Sequence, residues 1–196
     1  MITDELEERL KRRYPSSYIK KVHIDRADKD YVLRYRRKDI YADLILYDVE
    51  STDPISTIEY DLHEDKCYIS HFKTDYEYQG KGIGKFLYQL AQAHADKYKI
   101  CCSHGIISPI GAIKGVTGTP QDTYETEMNF LKLMYHALGN QIQNESDLYP
   151  GIQLDAFKDV WEPNTKITKL NNEQLKFLDS MLEYDNKLNL KIEKTK

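Results

Sequence analysis

The stretch Tyr76-Glu77-Tyr78-Gln79-Gly80-Lys81-Gly82-Ile83-Gly84-Lys85 joins a strand-like apolar run, Cys67–Thr74, to a long amphipathic segment. The apolar face of that segment recurs at helical spacing, with Phe86, Leu87, Leu90, Ala91 and His94. The pattern therefore predicts a strand, a glycine turn and the start of a helix. Glycines leave no side chains over the amides of residues 80–85, which lie at the positive end of the predicted helix. We expect these amides to bind an anionic group, and a phosphate in particular.

The spacing of the glycines excludes two common nucleotide-binding motifs. A Walker loop ending at Gly84-Lys85 needs a glycine at position 79 and a hydroxyl at position 86, where the chain has Gln79 and Phe86. A dinucleotide fingerprint starting at Gly80 needs its third glycine at position 85, which is Lys85. Each motif therefore lacks at least one residue that its chemistry requires.

The remaining pattern, Gln79-x-x-Gly82-x-Gly84, resembles the Gln/Arg-x-x-Gly-x-Gly/Ala pyrophosphate loop of the GCN5-related N-acetyltransferase (GNAT) superfamily. The residues before it also match that family's Val-x-Pro-x-Tyr-Arg lead-in, with Tyr76 in place of proline and Gln79 in place of arginine. The resemblance is closest over residues 67–98, extends to residue 139 and is absent beyond it.

This resemblance implies an α/β (α+β) fold, in which a mixed, mostly antiparallel twisted sheet is flanked by helices. The family splays one parallel pair of strands to admit the pantetheine arm of its cofactor. Runs rich in Tyr, Ile and Val predict antiparallel strands at residues 18–25, 31–36, 40–49, 55–62 and 66–74, and a parallel strand at 99–108. Only a short turn separates the first two strands, so we expect the region that covers the acceptor to be reduced, or moved to the N-terminal helix.

The termini and the second half of the chain carry weaker signals. Thr3 or Asp4 is expected to cap a first helix that ends before Pro15, and Asp122 or Thr123 to cap one that ends at Gly139. Glycines and prolines predict a loop at residues 109–121, as either a surface insertion or a flap over the site, and residues 152–161 form a strand or a short helix. The family's closing hairpin is expected at residues 141–147 and 167–170, before a last helix capped by Asn171 or Asn172.

We expect the whole chain, residues 1–196, to form a single domain. Its predicted parts are an N-terminal helix (1–14), an acyl-CoA-binding core (18–139), a divergent C-terminal part (140–187) and a flexible tail (188–196).

The family resemblance implies acetyl-CoA, or another acyl-CoA, as the cofactor. The residues expected to hold its pyrophosphate are Gln79, Gly80, Lys81, Gly82, Ile83, Gly84 and Lys85. The backbone from Phe72 to Thr74 is expected to hold the thioester carbonyl and to stabilise its developing oxyanion.

The implied reaction transfers the acyl group to a primary amine, on a small molecule or a protein, by direct attack on the thioester. An alkyl ammonium must lose a proton before it attacks, and Glu59, Asp61 and His71 are the candidate bases. The run Tyr135-His136-Ala137-Leu138-Gly139 resembles the family's Tyr-x-x-x-Gly-Phe helix end, with Asn140 in place of the phenylalanine. Tyr135 is therefore the candidate proton donor to the departing thiolate.

Composition limits the other classes of function. The chain is 40% hydrophobic and 31% charged, and no apolar run approaches the ~18 residues of a membrane span, so a soluble, cytoplasmic protein is expected. The net charge of −4 makes nucleic acid an unlikely partner. Cys67, Cys101 and Cys102 lie in apolar runs without metal-ligand spacing, so we expect core residues and no metal site. Tyrosine-rich edge strands favour a homodimer.

Two alternatives to an amine acyltransferase stay open at this stage. One is a protein that keeps the fold and binds CoA or a protein partner without turnover, as an inhibitor or regulatory subunit. The other is an acyltransferase-fold enzyme that modifies nucleic acid, which a basic groove would support.

Overall fold

The computed structural model describes residues 2–50, 53–64, 66–100, 103–107, 120–138, 141–146, 151–156 and 170–190. The helices are α1 (Ile2–Arg13), α2 (Ile83–Lys97), α3 (Pro120–Ala137) and α4 (Asn172–Lys187). The strands are β1 (Tyr18–Ile24), β2 (Lys29–Lys38), β3 (Tyr41–Asp48), β4 (Pro54–Leu62), β5 (Cys67–Thr74), β6 (Ser103–Ile107), β7 (Gln141–Ser146) and β8 (Gly151–Ala156).

All eight described strands belong to one sheet in the order β1-β2-β3-β4-β5-β6-β8-β7. Strands β1 to β5 form the predicted antiparallel meander. Strands β5 and β6 are parallel, because α2 returns the chain to the end of the sheet at which β5 begins. The predicted fold, a mixed and mostly antiparallel sheet flanked by helices, is confirmed.

The two faces of the meander pack against different helices. Because side chains alternate along a strand, one face buries Leu33, Leu44 and Ile58 under α2 and α4. The other face packs Ile19, Val32 and Tyr47 against Leu6 and Leu10 of α1. Strand β4 shows this alternation, since Ile58, Tyr60 and Leu62 are all buried on the side of the sheet that faces α2.

Two helices begin earlier than predicted. Helix α1 begins at Ile2, so Thr3 and Asp4 lie inside the helix rather than before it. Helix α3 begins at Pro120, which shortens the predicted loop; residues 108–119 lie outside the described residues. Proline suits the first helical position because the amide hydrogen that it lacks has no partner there.

The predicted strand at residues 99–108 also begins too early. Lys99 has a φ of +59°, and the amide of Ile100 donates to the carbonyl oxygen of Ala95. These two residues therefore close α2, and the strand starts later, at Ser103. Cys67 is a core residue as expected, whereas Cys101, Cys102 and Gly139 lie outside the described residues.

Strand β7 lies at the place predicted for the first strand of the closing hairpin and pairs with β8, which lies within the segment predicted as a strand or short helix. The second predicted strand of that hairpin, residues 167–170, falls outside the described residues except for Leu170. Leu170 has no strand pairing, and residues 157–169 and 191–196 lie outside the described part of the chain. Helix α4 is capped by Asn171, as expected.

Candidate functional site

The predicted phosphate loop lies between the end of β5 and the start of α2. A single helical turn, Tyr76–Tyr78, precedes it, and both Gly80 and Gly82 have φ angles of +79°. Gly82 is the N-terminal cap of α2, so the first backbone amides of the helix have no carbonyl partner within it. The local geometry is that of an anion-binding helix start.

Hydrogen bonds from polar side chains hold the turn against the end of β5. The side-chain amide of Gln79 donates to the carbonyl oxygen of Thr74 over 3.0 Å. The hydroxyl of Ser56 donates to the carbonyl oxygen of Lys73 over 3.0 Å, and its oxygen lies 2.8 Å from that of Thr74. The end of β5 is thereby fastened to both β4 and the loop.

The glycines of the loop differ in the space around them. A Cβ at Gly80 would meet nothing within 4 Å, so the space over this residue is open. A Cβ at Gly84 would lie 3.2 Å from Thr74 Oγ1 and 3.3 Å from the Phe72 ring. A Cβ at Gly82 would lie 3.0 Å from Cδ of Arg26, a residue of the turn between β1 and β2.

Tyr78 connects the loop to the C-terminal end of β3. Its hydroxyl donates to Asp48 Oδ2 over 2.9 Å, and Lys29 donates to the same carboxylate. Burial and the hydrogen bond to Asp48 raise the pKa of Tyr78 to about 12, so the hydroxyl keeps its proton at neutral pH. The ammonium of Lys81 lies 5.0 Å from the centre of the Tyr78 ring.

Beside the loop, β5 separates from β6. The described pairing of these strands ends at Ile69 and Gly105, and β6 continues along β8 instead. At the same point Ser70 is an extra residue in β5, because Glu59 pairs with His71 while Tyr60 pairs with Ile69. Within the described residues, a gap therefore opens along residues 70–74 of β5, where no described residue of β6 pairs with it.

Tyr135 is the predicted catalytic side chain that lies at this gap on the α2 side. Its ring centre is 6.3 Å from that of Phe72 and 6.1 Å from that of Tyr88. The side chain is 7% exposed, and burial raises its pKa. Tyr135 is thus protonated at neutral pH.

The candidate bases lie on the opposite face of the sheet from Tyr135. Glu59 and His71 are cross-strand neighbours, and Glu59 is flanked on its other side by Asp43. Asp43 is buried between Arg34 and Arg36, whereas Glu59 is half-buried and His71 is exposed. 

Asp61 lies two residues further along β4, between Tyr41 and Tyr68 and away from the gap. The structure therefore brings Glu59 and His71 together at the bulge and leaves Asp61 outside.

Several neighbours of the loop carried no signal in the sequence. Arg26, Asp48 and Ser56 belong to strands or turns distant in sequence, and only the pairing of the sheet brings them to the loop. Within the described ranges, no cluster of three His, Cys, Asp or Glu side chains has the geometry of a metal site. Nor does any helix described here combine the length and the apolar composition that crossing a bilayer requires.

Comparison with known protein families gives no match, and no curated protein sequence matches the chain. Comparison with solved structures gives many matches of low sequence identity. A cAMP-binding acyltransferase from Mycobacterium smegmatis matches with a TM-score of 0.53 and 13% identity, over 94% of this chain and 59% of that one. This chain thus spans about three fifths of the length of the mycobacterial protein.

Two further structures match over less of the chain. The PaiA N-acetyltransferase from Thermoplasma acidophilum, in complex with coenzyme A, has a TM-score of 0.45 and 16% identity, over 61% of this chain and 62% of that one. The ribosomal-protein-S18-alanine N-acetyltransferase from Escherichia coli has a TM-score of 0.46 and 12% identity, over 65% of this chain and 76% of that one. The chain thus shares the fold of the mycobacterial acyltransferase, which confirms the fold that the resemblance to the GNAT superfamily predicts.

Proposed function

We propose that the protein is an acyl-CoA-dependent N-acyltransferase that transfers an acyl group, acetyl in the first instance, to a primary amine. The observation that carries the proposal is the position of the glycine loop at the place where β5 leaves β6. An anion site and a gap in the sheet at one strand end fit a ligand with a diphosphate and a narrow arm. The acyltransferase fold supports the same conclusion.

The loop supplies what a diphosphate requires. The amides of residues 80–85 would donate to its oxygens, and charge-assisted hydrogen bonds of this kind are stronger than neutral ones. The open space over Gly80 fits such a group, and Lys81 and Lys85 are exposed cations beside it. Gln79 supports the turn from behind.

When bound, the acyl-CoA would supply a thioester that an amine can attack. The backbone of Phe72 to Thr74 would stabilise the oxyanion that develops as the C–N bond forms. Glu59, with His71 beside it, would take the proton of the substrate ammonium. The hydroxyl of Tyr135 would donate its proton to the departing thiolate as the C–S bond breaks, and would be reprotonated through solvent by the second proton that the nitrogen loses as the amide forms, while the proton taken by Glu59 is released to solvent.

The finer parts of the proposal concern the acceptor and the chain as a whole. The acceptor is a primary amine on a small molecule or a protein. The chain acts as one domain in the cytoplasm, with residues 18–139 as the cofactor-binding core, and forms a homodimer.

Calorimetric titration of acetyl-CoA into the purified protein tests the proposal, with CoA and ATP as controls. We expect micromolar binding of acetyl-CoA and CoA, but not of ATP, followed by thiol release with one member of a panel of amines. Binding without turnover across the panel would favour a protein that binds CoA in a regulatory role. Absence of CoA binding would contradict the proposal.

A further inference from the structure

Arg26 lies directly over the glycine loop. It belongs to the short helical turn Asp25–Ala27, which connects β1 to β2. A Cβ at Gly82 would lie 3.0 Å from Cδ of Arg26, 3.1 Å from its Cβ and 3.4 Å from its Cγ. The stem of the arginine therefore lies against the space that any other residue at position 82 would need, beside the cap of α2.

The turn that carries Arg26 is held on both sides. The amide of Asp28 donates to the carbonyl oxygen of Asp25 over 3.1 Å, and the β1–β2 ladder ends at the pair Ile24 and Lys29. The side-chain amide of Asn171, the cap of α4, donates to the carboxylate of Asp25 over 3.3 Å. A short turn fixed in this way keeps the arginine beside the loop.

Arg26 is exposed, and among the described residues its guanidinium has neither a hydrogen-bond partner nor a carboxylate within ion-pair distance. The arginines of β2 differ, since Arg34 and Arg36 pair with Asp43 and Arg37 pairs with another buried aspartate. A cation without a partner next to a row of backbone donors is suited to an anion that arrives from solvent.

We propose that Arg26 binds a phosphate group of the acyl-CoA, and that the β1–β2 turn thereby forms part of the cofactor site. This inference rests on the proposed function. Two phosphate groups of CoA share the required chemistry, the diphosphate on the loop and the 3′-phosphate of the ribose. A guanidinium pairs with either one through two parallel N–H donors, which an ammonium cannot do.

Titration of CoA and 3′-dephospho-CoA into the wild type and Arg26→Gln tests the inference. Arg12→Gln is the matched control, because Arg12 is an exposed arginine on α1, across the sheet from α2. We expect Arg26→Gln to weaken CoA binding about tenfold or more, Arg26→Lys to weaken it less, and Arg12→Gln to leave it unchanged. Thermal melting should show that all variants remain folded.

The pattern of losses identifies the phosphate. If Arg26→Gln weakens binding of CoA but not of dephospho-CoA, the partner is the 3′-phosphate; equal weakening of both assigns the diphosphate. Wild-type affinity of Arg26→Gln for CoA would overturn the inference and leave the proposed function intact. A wild type that binds neither compound would overturn the proposed function together with this inference.

Discussion

Gly80 and Gly82 have the same backbone conformation in different surroundings. Both have a φ of +79°, which strains any residue with a Cβ, but only Gly82 lies under another side chain. The pair therefore separates the conformational need for glycine from the need for space.

Gly82→Ala should be more damaging than Gly80→Ala. Each alanine adds about 1–2 kcal/mol of backbone strain, and the Cβ at position 82 also requires the side chain of Arg26 to shift by a few tenths of an ångström. Chemical denaturation should show the larger loss of unfolding free energy in Gly82→Ala, and calorimetry the larger loss of acetyl-CoA affinity. Equal effects of the two substitutions would show that Arg26 does not constrain the loop.

Tyr135→Phe should lower turnover and leave acetyl-CoA binding unchanged. The substitution removes the only proton that this side chain can donate, while the ring keeps its contacts with Phe72 and Tyr88. Loss of a general acid typically slows the reaction by about 10²–10⁴-fold.

The control for this test is Tyr88→Phe, which alters the same aromatic cluster without removing the proposed donor. Steady-state kinetics should separate the two variants in kcat and not in KM. Turnover of Tyr135→Phe equal to that of Tyr88→Phe would make Tyr135 a packing residue.

At the scale of elements, α4 shows how a local signal sets a boundary. Asn171 accepts from the backbone amide of Gln174 over 2.8 Å, and the side chain of Gln174 accepts from the backbone amide of Asn171 over 3.0 Å. This reciprocal pair is a capping box, in which two backbone donors that the helix cannot satisfy find partners.

Asn171→Ala should lower the unfolding free energy by about 0.5–2 kcal/mol, because both the cap and the hydrogen bond to Asp25 are lost. Asn172→Ala is the matched control, since Asn172 is exposed and lies inside the helix. Urea denaturation should rank the two variants in that order. A loss in Asn172→Ala as large as that in Asn171→Ala would contradict the assigned cap.

The elements that the sequence predicts well are those with local signals. Alternating apolar residues mark β1 to β5, glycines mark the loop, and helical spacing marks α2. The errors arise where the partner is distant. The short strand β8 carries Ile152, Leu154 and Ala156 at alternate positions, but its sequence fits a strand or a short helix, and only pairing with β6 and β7 selects the strand. Lys99 is a further case, because its left-handed backbone conformation carries no residue-type signal.

The residues of the candidate site also differ in how visible they are in the sequence. Its loop is contiguous and therefore visible in the sequence, as are Glu59 and His71 within their strands. Arg26, in contrast, reaches the loop only because the β1–β2 turn and the start of α2 lie at the same end of the fold. No periodic pattern connects such residues, so they appear only once the fold is known.

At the scale of the whole molecule, a buried polar network joins α4 to the sheet and to α2. The carboxylate of Asp185 is fully buried and accepts hydrogen bonds from Tyr35, Arg37, His94 and Tyr98. Burial alone would raise the pKa of Asp185, but these donors outweigh it and hold the pKa at about 2. The carboxylate is therefore ionised and compensates the buried charge of Arg37.

Asp185→Asn should lower the unfolding free energy by about 3–5 kcal/mol, because it leaves the guanidinium of Arg37 buried without a countercharge. Asp179→Asn, at an exposed position of the same helix, is the control and should change it little. Denaturant titration measures both. A small loss in Asp185→Asn would mean that the helix is not anchored through this carboxylate.

His94 contributes to the network in its neutral form. Nε2 lies 2.9 Å from Asp185 Oδ2, and Nδ1 lies 2.8 Å from the hydroxyl of Tyr60. A neutral ring satisfies both contacts, since Nε2–H donates to the carboxylate and Nδ1 accepts from the hydroxyl. Burial lowers the pKa of His94 below its ordinary value of 6.5, although Asp185 opposes the shift.

The sign of the resulting pH dependence follows from proton linkage. Below about pH 6.5 the unfolded chain protonates this histidine while the folded protein does not, so the unfolding free energy falls as the pH falls. Asp185 has its effect at lower pH. Because its pKa is depressed, the stability that the ionised carboxylate contributes is present above about pH 3.8 and is lost toward pH 2. His23 has the opposite effect on the unfolding free energy, which it increases as the pH falls, because its hydrogen bond to Asp30 raises its pKa.

His94→Gln isolates the contribution of His94 between pH 7 and pH 4.5. Glutamine keeps a donor and an acceptor but does not titrate, and His23 contributes equally in both proteins, so the difference in slope belongs to position 94. The unfolding free energy of the wild type should fall more steeply with decreasing pH than that of the variant. Parallel curves for wild type and His94→Gln would show that the folded protein protonates His94 as readily as the unfolded chain does, and that the network tolerates a second buried cation beside Arg37.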